Sequence, residues 1–173
     1  MSLNVRHLLL LLSLFALVLF NGRTLGLFPK ANNSRIENSP AARAVNGPDA
    51  WYEGPDGYEA ADGLHRTQHD AIIVYFYTDW CPYCKKLDRD LLPAPEMREF
   101  LKSVIKVRIN PENGERELAL ARKFDVHGFP SVFVVPRESD MQTKVYPFKR
   151  IGGTFQALSP ADFAQACKRA GAL

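Results

Sequence analysis

The chain has 173 residues, of which 46% are hydrophobic and 24% are charged, a composition typical of a folded globular protein and not of a disordered one. The formal net charge is +3, but Arg6 and Arg23 lie in the first 26 residues, and the rest of the chain carries 20 Lys and Arg against 19 Asp and Glu. The basic residues are dispersed, which argues against the clustered basic face of a nucleic-acid-binding protein. We therefore expect no nucleic-acid partner.

The amino terminus has the layout of an export signal. Arg6 precedes residues 8–20, which are all apolar except Ser13. A helix of that length spans about 20 Å, less than the ~30 Å hydrocarbon core of a bilayer. The sequence therefore predicts a signal peptide over residues 1–26, with an uncleaved N-terminal membrane anchor as the alternative. Either reading places the domain that follows in an extracytoplasmic compartment such as the periplasm.

Residues 27–50 are rich in Asn, Ser, Pro and Ala and carry few large apolar side chains. Such a segment cannot bury enough surface to offset the entropy lost on ordering, so it is predicted to be a flexible linker. Residues 51–173 remain, a suitable length for one domain with one core. We expect this domain to be monomeric.

The predicted elements of the first half of the domain are a helix, a strand and an interrupted helix. A helix is predicted over residues 58–69. Residues 71–77, "AIIVYFY", are nearly all apolar and rich in β-branched and aromatic types, which indicates a strand buried on both faces. After Pro82 apolar residues recur at three and four residues, which predicts a helix. The two prolines of "LLPAPE" are expected to interrupt it before residues 96–102.

The second half continues the alternation of strands and helices. The predicted elements are a strand over residues 104–110, a helix over 115–124, a strand over 131–135, its antiparallel partner over 145–151, and a final helix capped by Ser159. Strands that alternate with helices and end in an antiparallel pair indicate an α/β sandwich, with a central mixed β-sheet flanked by helices.

The segment "YTDWCPYCKKLD", residues 77–88, contains two of the three cysteines, Cys81 and Cys84. Such a pair can bind a metal, form a structural disulfide or exchange electrons. A structural zinc site needs four ligands, and no second pair of recognised spacing exists among the remaining candidates, Cys167, His65, His69 and His127. A structural disulfide would close a very small loop and stabilise little. We therefore predict no metal and favour electron exchange.

The position of the pair supports electron exchange. Cys81 falls where a buried strand ends and a helix begins, so unpaired N–H groups at the helix N-terminus should stabilise its thiolate and lower its pKa. Cys84 lies one turn inside the helix, where it could attack a mixed disulfide formed on Cys81.

Three features together resemble the thioredoxin superfamily, over nearly the whole of residues 51–173. They are the strand followed by "WCPYC", the later strand "IKVRIN", and "VHGFPSVFVV". The resemblance implies a thioredoxin-like sandwich and an exported thiol:disulfide oxidoreductase that needs no cofactor. It also implies that Pro130 is a cis-proline opposite the two sulfurs. The residues expected to contact substrate are Trp80, Pro82, Tyr83, Phe129 and Pro130.

The sequence also departs from the family pattern. Many thioredoxins carry an acid six residues before the first cysteine, where this chain has Tyr75. Asp88, four residues after Cys84 on the same predicted helical face, is a substitute for proton transfer, and Asp79 has a similar claim. Strongly oxidising relatives tend to have His between the cysteines. Its absence here favours a reductant.

We therefore expect catalysis by Cys81 and Cys84 on protein thiols and disulfides, with an upstream redox partner. The alternatives are a non-catalytic binding module with a locked disulfide, and a dedicated electron donor to one partner, such as a cytochrome-maturation or metal-site thiol. Cys167 is interpreted as a packed small apolar residue, with a regulatory or intermolecular disulfide as the alternative.

Overall fold

A computed structural model of the protein describes residues 50–172. The predicted signal peptide or anchor lies outside these residues, as does the predicted linker except for Ala50. Among the residues that the structure describes, no helix is both long enough and apolar enough to cross a membrane.

The central feature is a five-stranded mixed sheet, with the strands in the spatial order β1-β3-β2-β4-β5. The first three of these strands are parallel, β4 is antiparallel to β2, and β5 is antiparallel to β4. The strands are β1 Tyr52–Glu53, β2 Ile72–Phe76, β3 Ile105–Ile109, β4 Ser131–Val135 and β5 Thr143–Val145. The predicted mixed sheet is confirmed.

Within residues 50–172, five α-helices flank the sheet. They are α1 Gly54–Gln68, α2 Pro82–Lys86, α3 Pro95–Leu101, α4 Glu115–Lys123 and α5 Pro160–Cys167. The helix α2 continues into a wider π-type turn over Leu87–Leu91, and a short 3₁₀ turn, Pro111–Asn113, follows β3.

The central strand β2 divides the core into two layers because successive side chains of a strand point to opposite faces. Ile72, Val74 and Phe76 pack on one side with residues of α1 and α4. Ile73 and Tyr75 pack on the other side with residues of α2, α3 and α5. Every residue of β2 is buried, as the continuous apolar run predicts.

Local sequence signals set several helix starts. The hydroxyl of Ser159 accepts a hydrogen bond from the backbone N–H of Asp162 at 3.1 Å, which confirms the predicted cap of α5. Pro82 and Pro95 each lie in a first helical turn, where the missing N–H costs no hydrogen bond. The predicted interruption at "LLPAPE" is also confirmed, because α3 starts at Pro95.

The predicted strand over residues 145–151 is wrong. The partner of β4 is β5, which ends at Val145. Residues beyond it form a separate hairpin of two strands, β6 Phe148–Ile151 and β7 Thr154–Ala157. Pro147 stands between β5 and β6 and has no N–H to donate to a continuous ladder. Gly152 and Gly153 both have positive φ, which suits the tight turn of a hairpin.

Two further elements differ from the prediction. The helix α1 begins at Gly54, four residues earlier than predicted, with Pro55 in its first turn. The edge strand β1 was not predicted, because two residues are too short to show any periodicity. It exists through its pairing with β3, where Tyr52 lies opposite Val107 and Glu53 opposite Arg108.

Two glycines of α1 provide a matched stability test. A Cβ atom added at Gly57 would lie 2.9 Å from the carbonyl carbon of Tyr52, whereas a Cβ at Gly63 would meet nothing within 4 Å. Gly57→Ala should therefore lower the free energy of unfolding by about 1–3 kcal/mol through overpacking. Gly63→Ala should raise it by up to ~1 kcal/mol through helix propensity. Urea unfolding measures both, and equal effects would contradict the close packing of β1 on α1.

Candidate active site

Cys81 and Cys84 lie at the junction between β2 and α2 and are joined by a disulfide, with 5.2 Å between their Cα atoms. Both side chains are almost fully buried, at 2% and 1% exposure. A turn connects the strand to the pair, and within it the N–H of Cys81 donates to the carbonyl of Thr78 at 3.2 Å. The structure thus places the pair at the strand-to-helix position that the sequence predicts.

The sulfur of Cys81 occupies the place of a helix-capping side chain. The backbone N–H of Cys84 donates to it at 3.1 Å. A donor at that distance stabilises negative charge on the sulfur. Cys84, one turn further on, has no such position and faces the core.

The loop before β4 lies beside the cysteine pair. Phe76, the last residue of β2, pairs with Ser131, the first residue of β4, so the segments that carry Cys81 and Pro130 leave the sheet at the same edge. The Phe129–Pro130 peptide bond is cis, the form that the family resemblance implies.

Two of the predicted substrate-contact residues, Trp80 of the cysteine turn and Phe129 of this loop, are in contact. The ring of Trp80 packs edge-on against the ring of Phe129, with 6.2 Å between centroids. The indole N–H of Trp80 donates to a carboxylate oxygen of Glu112 at 2.8 Å, and 63% of the side chain is exposed. The hydrogen bond to Glu112 therefore fixes the exposed indole ring of Trp80 next to Cys81.

An apolar groove opens on the other side of the Pro130 loop. Its volume is about 230 Å³, and its lining residues are Tyr83, Phe129, Pro130, Tyr146, Pro147, Phe148 and Phe155. Tyr83 packs edge-on against Phe148 and Phe155 of the hairpin, at centroid distances of 5.2 and 5.9 Å. Three predicted residues thus line the groove, whereas Pro82 is exposed in the first turn of α2 and is not among the lining residues.

Sequence reasoning missed the hairpin wall of this groove. Tyr146, Phe148 and Phe155 were not singled out, because residues 145–151 were interpreted as one sheet strand. The available signal was the Gly-Gly pair with aromatic residues on both sides.

Asp88 and Asp79 differ in their surroundings. Asp79 is exposed in the turn before Cys81. Asp88 is half-buried after α2, and one of its oxygens lies 3.9 Å from a terminal nitrogen of Arg108. Burial raises the pKa of Asp88, while the positive charge of Arg108 acts in the opposite direction. Of the two acids, Asp88 is the one that is partly withdrawn from water and lies beside a cation.

Tyr75 occupies the core position six residues before Cys81, where the family resemblance implies an acid. Its side chain is 1% exposed, and its hydroxyl donates to the carbonyl of Cys84 at a long 3.5 Å. Burial raises the pKa of Tyr75 far above its usual value, so the hydroxyl keeps its proton and cannot act as the base.

Cys167 is separate from this site. It is fully buried in α5, and burial raises the pKa of its thiol to about 12. The ring of His65 bonds to the carbonyl of Asp70 at 2.8 Å, and His127 lies 2.9 Å from Asp125. Within residues 50–172 no three His, Cys, Asp or Glu side chains converge in a way that could hold a metal ion.

Comparison with known proteins agrees with this geometry. The sequence model of the thioredoxin-like family matches residues 50–136. A thiol:disulfide interchange protein DsbD from Pseudoalteromonas atlantica is 23% identical over 164 residues, which cover 94% of this chain and 26% of that protein. A protein disulfide-isomerase from Ricinus communis is 32% identical over 86 residues, 43% of this chain and 17% of that protein.

A solved structure shows the same fold. The reduced C-terminal domain of DsbD from Neisseria meningitidis superposes with a TM-score of 0.53 at 20% identity, covering 68% of this chain and 98% of that domain. The chain spans about a quarter or less of the length of the first DsbD relatives. With a matching family model over half of its length and a CPYC pair at the start of α2, the chain belongs to the thioredoxin-like family.

Proposed function

We propose that the protein is a thiol:disulfide oxidoreductase that acts on protein substrates through Cys81 and Cys84. The observation that carries the proposal is the disulfide-linked pair at the start of α2, with a backbone N–H directed at the sulfur of Cys81 and the cis-Pro130 loop beside it. The names of the DsbD and protein disulfide-isomerase relatives support the same class of reaction.

In the reductive direction the thiolate of Cys81 attacks one sulfur of a client disulfide, and the other client sulfur leaves as a thiolate. Cys84 then gives its proton to Asp88 and attacks the sulfur of Cys81. The second client sulfur leaves, so the client gains two electrons and the Cys81–Cys84 disulfide forms. An upstream redox partner must return two electrons for the next cycle.

The groove supplies a place for the client chain. An extended segment beside Pro130 would pack one apolar side chain between Tyr83 and the hairpin, and would contact Trp80 and Phe129 on the other side of the cysteine pair. Apolar walls with few polar groups suit a binding site for varied polypeptides, since burial of apolar surface is non-directional. Pro82 would border the approach to Cys81.

We further propose that the domain works as a reductant in an extracytoplasmic compartment. The export-type layout of residues 1–26 and the named DsbD relatives support the compartment. The direction of electron flow is supported by the residues between the cysteines, Pro82 and Tyr83, which offer no cation to stabilise the reduced Cys81 further.

The reduction potential of the pair tests the direction. Equilibration with glutathione redox buffers should give a value closer to thioredoxin, about −270 mV, than to the strong oxidant DsbA, about −120 mV. A potential near the oxidising limit would reverse the proposed direction and leave the reaction class intact.

Thiol labelling separates catalysis from a non-catalytic binding module. In the reduced native protein at about pH 6, iodoacetamide should label Cys81 rapidly, because the Cys84 N–H stabilises its thiolate. Cys167 should stay unlabelled until the protein is denatured, because burial raises the pKa of its thiol to about 12 and so disfavours the reactive thiolate. Mass spectrometry of peptides reports each site. A Cys81 that labels as slowly as a free cysteine would favour the binding module.

Two cysteine variants test the separate roles of Cys81 as the attacking thiol and Cys84 as the resolving thiol. Cys81→Ser should abolish reduction of a protein disulfide, since no nucleophile remains at the helix start. Cys84→Ser should accumulate mixed disulfides on Cys81, because nothing resolves them. Non-reducing electrophoresis and mass spectrometry identify the trapped clients. Activity retained by Cys81→Ser would overturn the proposal, and a single trapped protein would favour a dedicated electron donor.

A further inference from the structure

The Asp88 side of the active site contains more charge than the sequence motifs indicate. Arg108 projects from β3 between two carboxylates that come from different elements. One terminal nitrogen lies 3.9 Å from Asp88, and Nε lies 3.7 Å from Glu53 in β1. The guanidinium also lies over the ring of Tyr77, 4.4 Å from its centroid. The single guanidinium of Arg108 therefore lies within ion-pair distance of two carboxylates.

Neither contact of Arg108 is a full hydrogen bond. Nε of Arg108 and one carboxylate oxygen of Asp88 are both buried without a hydrogen-bond partner in the part of the chain that the structure describes. A planar guanidinium can form a two-bond fork with one carboxylate. Here it sits between Glu53 and Asp88 and forms that fork with neither.

We infer that Glu53, Arg108 and Asp88 act as one charge cluster, in which Glu53 competes with Asp88 for the single guanidinium and so controls how readily Asp88 accepts the proton of Cys84. The inference rests on the proposed function for the role of Asp88. The cluster itself rests on the distances alone. Glu53 is a positioning residue, because it acts on Cys84 only through Arg108 and Asp88.

The surroundings of Asp88 leave Arg108 as its main neutralising charge. Tyr75 faces Asp88 from β2, and its hydroxyl remains protonated. Burial raises the pKa of both carboxyl groups, of Asp88 and of Glu53, and in both cases Arg108 opposes the rise. The one guanidinium is therefore shared between the half-buried carboxylate of Asp88 and the exposed carboxylate of Glu53, and each weakens its effect on the other.

A cavity of about 340 Å³ opens beside Asp88 and gives the proton a route to solvent. Arg108, Lys106 and Arg98 line it together with Asp88, and the remaining lining residues are Trp51, Leu92, Pro93 and Leu101. The ammonium of Lys106 is directed to the carbonyl of Leu101 at 3.1 Å. Apart from Asp88 itself, the charged residues that line this cavity are therefore cations.

Glu53→Gln tests the competition directly. Removal of the competing charge lets Arg108 turn fully to Asp88, so the pKa of Asp88 should fall by about one unit. Carbon-13 NMR titration of the Asp88 carboxyl carbon in the oxidised full-length protein measures it, with Asp88→Asn to assign the signal. An unchanged or raised pKa in Glu53→Gln would overturn the inference.

The surface offers a matched control. Arg116 is likewise shared by two carboxylates, of Asp56 at 2.7 Å and of Glu59 at 3.6 Å, on an exposed face. Glu59→Gln should leave the Asp88 titration unchanged. Arg108→Met should raise the pKa of Asp88. Arg108→Lys keeps the positive charge, so it should raise the pKa of Asp88 less than Arg108→Met does. It also replaces Arg108→Met in the test if that variant does not fold.

A kinetic readout links the cluster to the cysteines. When the reduced protein meets a chromogenic aryl disulfide, attack by Cys81 releases the first thiol and attack by Cys84 releases the second. In Glu53→Gln the rise of the second phase with pH should move to lower pH by the same amount as the Asp88 titration, while the first phase keeps its profile. If the pH profile of the second phase did not shift with the pKa of Asp88, the link between Asp88 and Cys84 would be overturned. Absence of the first phase in the unaltered protein would instead contradict the proposed function.

Discussion

The site depends on the register of β2 between β3 and β4. Phe76 at the end of β2 lies opposite Ile109 on one side and Ser131 on the other. This pairing brings the cysteine turn and the Pro130 loop to one edge of the sheet. Since a slip of one residue would turn every side chain of β2 to the opposite face, burial of both faces holds the register firmly.

Two different surfaces lie on either side of α2 at this edge of the sheet. On one side of α2, Tyr83 joins the Pro130 loop and the hairpin in an apolar groove. On the other side, Asp88 meets Arg108 at a charged cavity. The proposed reaction uses both, since a client chain approaches through the groove while the proton of Cys84 leaves toward Asp88.

Tyr75 keeps the core beside the cysteine pair uncharged, and the charged groups lie at the margin of that core. A carboxylate in the middle of β2 would lose its hydration and would need a buried partner. Tyr75 fills that volume with a neutral side chain that bonds to the carbonyl of Cys84. Asp88 and Glu53 remain partly hydrated, and both are within ion-pair distance of Arg108.

The sequence by itself determined the elements whose signals are local: the buried strand β2, the CPYC pair at the start of α2, the cap at Ser159 and the α/β class. These follow from apolar runs, helix-start residues and spacing within a few positions. The tertiary structure alone decided the two-residue strand β1, the separate hairpin and the sharing of Arg108 between Glu53 and Asp88. Each of these depends on contacts between residues far apart in the chain, where no local periodicity carries the information. Glu53 and Asp88 are neighbours of one guanidinium only because β1 pairs with β3 and α2 packs across the same face of the sheet.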